Sequence, residues 1–360
     1  MARRVFVRGT GQEDNIGDVV LRRALFDRLR QAGELHIYLA DASTDFIASL
    51  ELGPRDEVYR DMRTWKIALL RSLVRRSTWF VDKPGEVLLT SDIYKGQRSL
   101  LPLLIAVRLR GGRVLRLGVG QRSPNPDMTP SFRRLYRISN AVLWRDSQSA
   151  SDFGIGNVMP DWGFEAPRAL PVETKRDLLV VSYRGDRPEL SQTTLDRIRA
   201  FAVEHALEIV AVTQVQRDGD RSDELARALG GVAEPWPLDK SHAEQERDLR
   251  NIYRRTAMVL SDRLHVLIVA ATEGAVPVNL VEVPDIKVAR HFDVIGYRSI
   301  TVAASGDGAG RDQQDVSVAL SAQMERADEI KTAMETAARR IEELSAAVLG
   351  LPIKASAPVV

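Results

Sequence analysis

The chain has 360 residues, of which 44% are hydrophobic and 28% are charged, and it contains no cysteine. This composition is that of a globular protein, and the length suits two domains of ordinary size. The absence of cysteine excludes disulfide bonds, thiolate metal sites and a cysteine nucleophile. The net charge of +2 hides an imbalance, because the first 150 residues carry about +10 and the remainder about −8.

The charge imbalance and the apolar pattern lead to expectations about partners and location. A basic first half predicts a negatively charged partner, such as an acidic glycan or an anionic lipid surface, unless the two halves simply face each other. The longest apolar run, residues 100–107, is too short to span a bilayer and contains Pro102. We expect a cytoplasmic protein without a nucleic-acid partner, and peripheral contact with the inner face of the membrane stays open.

Short β-rich apolar runs alternate with helical periodicity, which predicts parallel sheets covered by helices. In the first half the predicted strands are Arg4–Arg8, Leu35–Ala40, Glu86–Thr90, Arg113–Gly118 and Ala141–Trp144. In the second half they are Asp177–Ser182, Glu208–Thr213, Ala257–Leu260, Val276–Val281 and Ser299–Val302. Each set of strands predicts one Rossmann-like α/β domain.

The proline-containing segment Pro160–Arg176 separates the two sets and predicts the domain boundary, since proline interrupts helices and central strands. Helical spacing over Gln313–Leu349 predicts a long closing helix after the glycine-rich turn Ser305–Gly310. We therefore predict an N-terminal domain over 1–165, a C-terminal domain over 166–310, a helix over 311–350 that could return to the first domain, and a tail over 351–360. Two Rossmann-like domains with such a helix are typical of the GT-B architecture.

A glycine-containing loop, Arg8–Asp18, follows the first strand and precedes a predicted helix. A phosphate-binding turn would lie at this place, but Gly9 and Gly11 are not followed by a third glycine at the dinucleotide spacing, and no Walker lysine is present. The pattern argues against an NAD-binding or ATP-binding loop. Asn15 and Asp18 could cap the helix instead of serving a ligand, so both interpretations stay open.

A second candidate site follows a predicted strand that ends at Leu260. Ser261 or Asp262 is predicted to cap a new helix, with Arg263 and His265 in its first turn. Helix N-termini present unpaired N–H groups and partial positive charge, so a phosphate or carboxylate binds there readily. A buried structural histidine is the alternative for His265, but a strand-to-helix junction is where ligands of open α/β folds collect.

Four short motifs follow one another along the chain. They are Asn15-Ile-Gly-Asp18, Gly118-Val-Gly-Gln-Arg-Ser-Pro-Asn-Pro126, Arg145-Asp146 with Ser149 and Asp161, and Ser261-Asp-Arg-Leu-His265 with Gly274 to Pro277. In this order they resemble the polysaccharide pyruvyl transferase family, over roughly residues 8–291. The resemblance implies a GT-B-like fold, a cell-envelope polysaccharide pathway, phosphoenolpyruvate as donor, and neither a metal nor another cofactor.

The resemblance also implies which residues bind the donor. The family's donor-binding arginine and histidine fall on Arg263 and His265, a further arginine falls on Arg184, and a lysine falls on Lys287. Four more candidates for the cleft loops are Gly11, Asn15, Gly17 and Gln121. The loop after the first strand is longer and more acidic than in the family, and Arg122–Pro126 replaces the usual Gly-Pro. The resemblance therefore implies less about the acceptor sugar than about the donor.

The chemistry of a pyruvate ketal assigns catalytic roles to these residues. Arginine can grip both anionic groups of phosphoenolpyruvate, with Arg263 acting in catalysis as well as binding, and His265 can carry a proton. A carboxylate should activate the hydroxyls of a sugar or a lipid-linked glycan. Asp18 is our choice of base, with Asp161 and Glu282 as rivals and helix capping as the other role for Asp18.

Other interpretations concern further segments and the reaction itself. Asp218-Gly-Asp220 has the spelling of a metal-binding triplet but reads as a solvated turn. Trp65–Phe80 could be a basic membrane-surface helix, although a helix covering the first sheet is favoured. A nucleotide-sugar glycosyltransferase, with Arg263 on a diphosphate and Glu282 on a ribose, and a binding protein without catalysis remain as alternatives.

Overall fold

A computed structural model describes residues 3–74, 77–165, 175–283, 286–304 and 316–353. The chain divides into two compact units. Unit 1 consists of Met1–Glu13, Asp18–Trp162 and Arg339–Val360, and unit 2 consists of Asp14–Gly17 and Gly163–Ala338. Each unit is built on a parallel sheet with helices between its strands, so the predicted class of two Rossmann-like α/β domains is confirmed.

The sheet of unit 1 has eight parallel strands within the described residues. The strands are β1 (Arg4–Arg8), β2 (Glu34–Tyr38), β3 (Glu57–Tyr59), β4 (Thr78–Asp82), β5 (Gly85–Val87), β6 (Arg113–Gln121), β7 (Ala141–Trp144) and β8 (Asn157–Val158). The helices in this part of the chain are α1 (Ile16–Arg30), α2 (Thr44–Ser49), α3 (Met62–Ser72), α4 (Ser91–Arg98), α5 (Leu101–Leu109), α6 (Thr129–Tyr136) and α7 (Ser147–Phe153). The strand order is β3-β2-β1-β4-β6-β7-β8, with β5 paired to β6.

The centre of this sheet is fixed by a cluster of aromatic side chains around Trp65 of α3. Its indole Nε1 donates to the carbonyl of His36 at 2.9 Å, and its ring packs edge-on against Phe6 of β1 and Phe80 of β4. Leu104 of α5 joins the same buried cluster. Large apolar side chains thus bury β1 and β4 and fix the positions of the residues at their carboxyl ends.

The sheet of unit 2 has six parallel strands within the described residues, in the order β11-β10-β9-β12-β13-β14. The strands are β9 (Leu178–Ser182), β10 (Glu208–Val212), β11 (Val232–Glu234), β12 (Thr256–Ser261), β13 (Val276–Val281) and β14 (Thr301–Ala303). The helices are α8 (Gln192–Glu204), α9 (Gly219–Leu229), α10 (His242–Arg255), α11 (Leu264–Thr272) and α12 (Ile286–Phe292). The central strands β9 and β12 are almost entirely buried, which explains their continuous apolar sequence.

Two helices, α13 (Val316–Met324) and α14 (Ala327–Leu349), close the described chain where one helix was predicted. The helical spacing continues on both sides of the interruption, so periodicity alone does not reveal it. Residues 339–349 of α14 belong to unit 1. There Glu342 forms an ion pair with Arg28, and the Val348 carbonyl accepts a hydrogen bond from Arg113 at 2.5 Å. The predicted turn over 305–310 lies outside the described residues.

The main error in the predicted secondary structure concerns β4, a fully buried central strand that the sequence pattern did not predict. Its first residues fell inside the helix predicted over Trp65–Phe80, whereas α3 ends at Ser72. The short strands β3, β8 and β11 were also missed, because two or three residues give too little pattern to recognise. None of the helices of the described chain is long and apolar enough to cross a membrane.

Candidate functional site

The strand order of unit 2 reverses between β9 and β12, and the candidate site lies at the carboxyl ends of these two strands. Ligands of open parallel sheets bind at such a reversal, because the connections leave the sheet there in opposite directions. Arg184 follows the end of β9 by two residues, and Arg263 follows the end of β12 by two residues. The Ser261 hydroxyl donates to the Ser182 carbonyl and ties the two strand ends together.

Arg263 is the N-cap residue of α11, with φ −99° and ψ 114°. Because Arg263 itself is the cap residue, the prediction that Ser261 or Asp262 caps the helix is wrong, although the Ser261 hydroxyl accepts the Arg263 N–H at 2.9 Å. The guanidinium forms an ion pair with Asp218, and its Nε is buried without a hydrogen-bond partner in the described part of the chain. Burial lowers the pKa of Arg263, and the charge of Asp218 opposes that effect.

Asp218 ends a short 3-10 turn directly before α9, and its side chain is only 4% exposed. Its Oδ1 accepts the N–H of Gly185 at 3.0 Å, while its other oxygen pairs with Arg263. The interpretation of Asp218-Gly-Asp220 as a solvated turn is therefore wrong for Asp218, although Asp220 is exposed. The available signal was an acidic residue shortly after a predicted strand, at the edge of the sheet where ligands bind.

The loop after β9 brings Arg184 beside two carboxyl groups. Its backbone N–H donates to Asp262 Oδ1 at 3.1 Å, and its guanidinium donates to both oxygens of Asp186 at 2.7 and 2.6 Å. The hydrogen bonds from Arg184 lower the pKa of Asp186 to about 2. Burial raises the pKa of Asp262, although the N–H of Arg184 and the charge of Arg263 oppose the shift. Asp262 therefore holds a proton more readily than an exposed aspartate.

His265 of α11 packs against Gly17, which also belongs to unit 2. The contact is so close that a Cβ on Gly17 would overlap the His265 side chain. Asn15 holds this glycine in place, because its Oδ1 accepts the Gly17 N–H at 3.0 Å and its backbone forms an isolated bridge with Val215. The structure thus brings together two candidates from the first half of the sequence and the histidine of the second half.

Lys287 lies in the first turn of α12, which follows β13. Its carbonyl accepts a hydrogen bond from His291 Nδ1 at 2.7 Å. Because β13 is the neighbour of β12 in a parallel sheet, α12 begins at the same edge of the sheet as α11. The fourth predicted donor-binding residue is therefore at the edge of unit 2 that carries Arg184 and Arg263.

In unit 1, the glycine loop after β1 is held by the side chain of Arg22. The guanidinium donates to the carbonyls of Gly9, Thr10 and Asp18 at 2.9, 2.6 and 2.7 Å. A Cβ on Gly11 would clash with this guanidinium. Gly11 therefore leaves room for the Arg22 guanidinium that holds the loop, whatever binds beside it.

Gln121 and Asp161 lie in a buried polar network of unit 1. The Gln121 N–H donates to the Ser149 hydroxyl at 2.9 Å, and its side-chain amide bonds Asp152. Asp161 forms a buried ion pair with Arg145 at 3.0 Å. These residues stabilise the loops after β6 and β7, and the burial of Asp161 does not suit a base that must meet a substrate.

The two other candidate bases differ in their surroundings. Glu282 accepts hydrogen bonds from the N–H of Ser191 and the hydroxyl of Thr194, both at 2.7 Å, at the start of α8. Asp18 accepts the Gln12 N–H at 2.7 Å and pairs with Arg22 at 3.2 Å, and its side chain remains 19% exposed. Asp18 is thus the base candidate that combines solvent access with a place beside the glycine loop. Among the described residues, no three histidine, aspartate or glutamate side chains form a cluster that could hold a metal ion.

Two parallel α/β units, each with charged side chains where its strand order reverses, define a protein of the GT-B type. The sequence matches the model of the polysaccharide pyruvyl transferase family over residues 15–280. The chain belongs to this family. The matched range includes Asn15, Gly17, Arg184, Arg263 and His265, and no curated protein sequence matches the chain.

Solved structures similar to this chain share its fold at low sequence identity. The UDP-GlcNAc 2-epimerase of Neisseria meningitidis, bound to UDP-GlcNAc, has a TM-score of 0.59 at 10% identity, over 97% of this chain and 100% of the epimerase. The Anabaena protein HepE in complex with UDP has a TM-score of 0.57 at 11% identity, over 97% and 99%. The Staphylococcus aureus protein MnaA with UDP has a TM-score of 0.52 at 12% identity, over 98% of each chain. At these identities the likeness shows the fold alone.

Proposed function

We propose that the chain transfers the pyruvyl group of phosphoenolpyruvate, as a ketal, to a sugar of a polysaccharide or of its lipid-linked precursor, with release of phosphate. The observation that carries the proposal is the pair Arg184 and Arg263 beside β9 and β12, with His265 in the adjoining helix, in a member of this family. Arginine binds carboxylate and phosphate groups through two parallel hydrogen bonds, and phosphoenolpyruvate carries one of each.

The internal partners of the two arginines suggest how the donor binds. Asp218 fixes Arg263 through one terminal nitrogen, which leaves the buried Nε available to an anion. Arg184 is held by Asp186, whose side chain is 65% exposed and can move away when a donor anion replaces it. Lys287 would add a third positive charge at the same edge of the sheet.

The reaction joins two acceptor hydroxyls to C2 of the donor. The first hydroxyl loses its proton and its oxygen bonds to C2, while C3 takes a proton and becomes a methyl group. The bond from C2 to the phosphate oxygen then breaks, and the second hydroxyl bonds to C2 and loses its proton. The released phosphate leaves with that second proton as hydrogen phosphate. We assign the protonation of C3 to His265 and the removal of hydroxyl protons to Asp18. Arg184 and Arg263 would hold the charge of the carboxylate and of the leaving phosphate.

The proposal is tested by Arg263→Ala and His265→Ala in an assay of phosphate release and of pyruvyl addition to a sugar acceptor. Loss of a contact to developing charge costs about 2–4 kcal/mol, so turnover should fall about 30- to 1000-fold. Arg227→Ala is the control, because Arg227 is an exposed arginine of α9 in the same unit. Activity of both site variants within about threefold of the wild type would contradict the assignment.

Ligand-induced stabilisation separates this proposal from a nucleotide-sugar enzyme. Phosphoenolpyruvate should raise the melting temperature of the chain, and a nucleotide sugar should not, because a ligand stabilises only the state that binds it. The reverse result would favour a nucleotide-sugar enzyme of the same fold. Stabilisation by neither ligand would favour a binding protein that has lost this chemistry.

A further inference from the structure

Unit 1 repeats the topology that places the donor residues in unit 2. Its strand order reverses between β1 and β4, as the order of unit 2 reverses between β9 and β12. Arg8 is the last residue of β1, and Lys83 directly follows the end of β4. These two cations occupy the same topological place in unit 1 that Arg184 and Arg263 occupy in unit 2.

Within the described residues, no carboxylate forms an ion pair with the Lys83 ammonium group, although the charges of Asp82 and Asp18 act on it. The backbone N–H of Lys83 donates to Asp82 Oδ1 at 3.0 Å, but no hydrogen bond or ion pair joins its ammonium group to another residue of the described chain. Asp82 is already engaged by Arg8 at 3.1 Å and by Arg116 at 3.6 Å. Burial lowers the pKa of Lys83 and the charges of Arg22 and Arg8 lower it further, while the charges of Asp82 and Asp18 only partly oppose the shift.

The charges around Lys83 do not balance. Among the described residues, four cationic side chains interact here with two carboxylates, which leaves an excess of two positive charges. The cations are Arg8, Arg22, Lys83 and Arg116, and the carboxylates are Asp18 and Asp82. A partly buried excess of charge is costly unless a counterion joins it. The missing partner should therefore be an anion, and its best match is a dianion.

Two of the four cations are available to such an anion. Arg22 is occupied by three backbone carbonyls of the glycine loop, and Arg116 is almost wholly buried. Arg8 remains 20% exposed, and its buried Nε has no hydrogen-bond partner within the described residues. The Lys83 ammonium and the Arg8 guanidinium are thus the donors that a ligand can reach.

We propose that unit 1 contains a second anion site, at the carboxyl ends of β1 and β4, where Lys83 and Arg8 bind a phosphate group attached to the sugar acceptor. This inference rests on the proposed function, since it gives unit 1 the acceptor and unit 2 the donor. The site accounts for the excess charge and places the acceptor beside Asp18, the proposed base. Its ligand chemistry is a phosphate ester or diphosphate on a sugar.

The test measures the binding of two ligands to two variants of the full chain by titration calorimetry. A hexose 1-phosphate should bind to the wild type and at least about tenfold more weakly to Lys83→Met, while Arg263→Ala should leave its affinity unchanged. Phosphoenolpyruvate should bind more weakly to Arg263→Ala, and its affinity should be unchanged in Lys83→Met. Lys95→Met, which removes an exposed lysine of α4 in the same unit, is the control for charge.

The ligand series identifies the source of the phosphate. A neutral methyl hexoside is the reference, and a hexose 1-phosphate represents a soluble acceptor. A hexose joined to a short prenyl chain through a diphosphate represents a lipid-linked acceptor. The ligand with the largest affinity loss in Lys83→Met identifies the natural class. Lys83→Met should melt no lower than the wild type, because methionine removes an ammonium that forms no ion pair within the described residues. If it unfolds, Lys83→Gln replaces it in the same titration.

The outcomes for the two proposals are distinct. If the hexose phosphates bind equally to the wild type and to Lys83→Met, or do not bind at all, the second anion site is refuted whatever phosphoenolpyruvate does. If phosphoenolpyruvate fails to bind while the hexose phosphates depend on Lys83, the proposed donor is wrong and the anion site of unit 1 remains.

Discussion

The buried carboxylate of Asp218 forms an ion pair with the guanidinium of Arg263, and this pair fixes the arginine at the carboxyl edge of the unit 2 sheet. Removal of one partner from a buried pair leaves the other charge uncompensated, which costs on the order of 3 kcal/mol. We expect Asp218→Asn to lose stability of that size in urea unfolding and to lose turnover as well.

Asp220→Asn is the matched control for Asp218→Asn, because Asp220 lies two residues further on, in the first turn of α9, and is exposed. Its stability should stay within about 0.5 kcal/mol of the wild type. Equal stability of the two variants would mean that the pair does not hold Arg263 in place.

The contact between Gly17 and His265 predicts the effect of a single methyl group. Gly17→Ala should displace the imidazole and lower turnover about 100-fold, because a shift of about 1 Å in a catalytic group has that cost. Gly219→Ala is the control, since a Cβ there meets no atom within 4 Å. Steady-state rates, with melting temperatures to confirm folding, test the prediction, and wild-type turnover in Gly17→Ala would contradict it.

The ion pair between Arg184 and Asp186 predicts competition with the donor. Asp186→Asn should lower the KM for phosphoenolpyruvate by up to about fivefold, because an exposed ion pair is worth at most about 1 kcal/mol. Asp196→Asn, which removes an exposed partner of Arg199 in α8, should leave KM unchanged. An unchanged or higher KM in Asp186→Asn would show that Asp186 does not compete.

The pKa of Asp186 predicts how this competition depends on pH. Because the pKa in the folded chain is lowered to about 2, the carboxylate stays charged throughout the neutral and mildly acidic range. The ratio of the two KM values should therefore be constant between about pH 5 and pH 8. The small stabilisation from the pair is present above the unfolded pKa of about 3.9 and is lost as pH falls towards 2.

Independence from metal ions remains a prediction of the sequence, which has no cysteine and only five histidines. We expect activity within about twofold of the untreated enzyme after exhaustive chelation, because cationic side chains can neutralise the phosphate and carboxylate. Complete loss of activity that magnesium or manganese restores would reverse this expectation.

A surface of unit 1 predicts binding to anionic membranes. α3 covers the sheet with Trp65 and Leu69, as the favoured interpretation predicted, but its other side exposes Leu70. The C-terminal ends of α3 and α5 lie side by side, because Arg110 Nε donates to the Leu73 carbonyl at 3.1 Å. The α3–α5 surface comprises the exposed apolar residues Ile67, Leu70, Val74, Ile105 and Leu109 with the basic residues Arg63, Lys66 and Arg71. We propose an anionic lipid surface as its partner.

The double variant Arg63→Glu and Arg71→Glu should weaken co-sedimentation with anionic liposomes and raise KM for a lipid-linked acceptor. Lys95→Glu with Arg98→Glu is the control of equal charge change, on α4 of the same unit. Activity on a short soluble sugar should not change. Arg75 and Arg76, which the sequence also placed in this basic segment, lie outside the described residues. Equal liposome binding by both double variants would exclude this surface.

The sequence by itself determined the fold class, and it indicated the two groups that we propose for the centre of the donor site. The strands β1, β7 and β13 lie where the pattern predicted them, because each is a short apolar run bounded by polar or turn residues. Arg263 and His265 were identified by their position at a strand-to-helix junction and by the motif around them. Both signals are local in sequence.

Only the tertiary structure decided which residues contact Arg263 and His265. The ion pair of Asp218 with Arg263 joins residues far apart in the chain. Gly17, near the start of the sequence, contacts His265 in its second half. Lys83, the residue that we propose for the second anion site, was not singled out from the sequence because its strand, β4, was not recognised. A parallel sheet assembles its carboxyl edge from strands distant in sequence, so the burial and charge of a side chain at that edge depend on neighbours that local patterns do not contain.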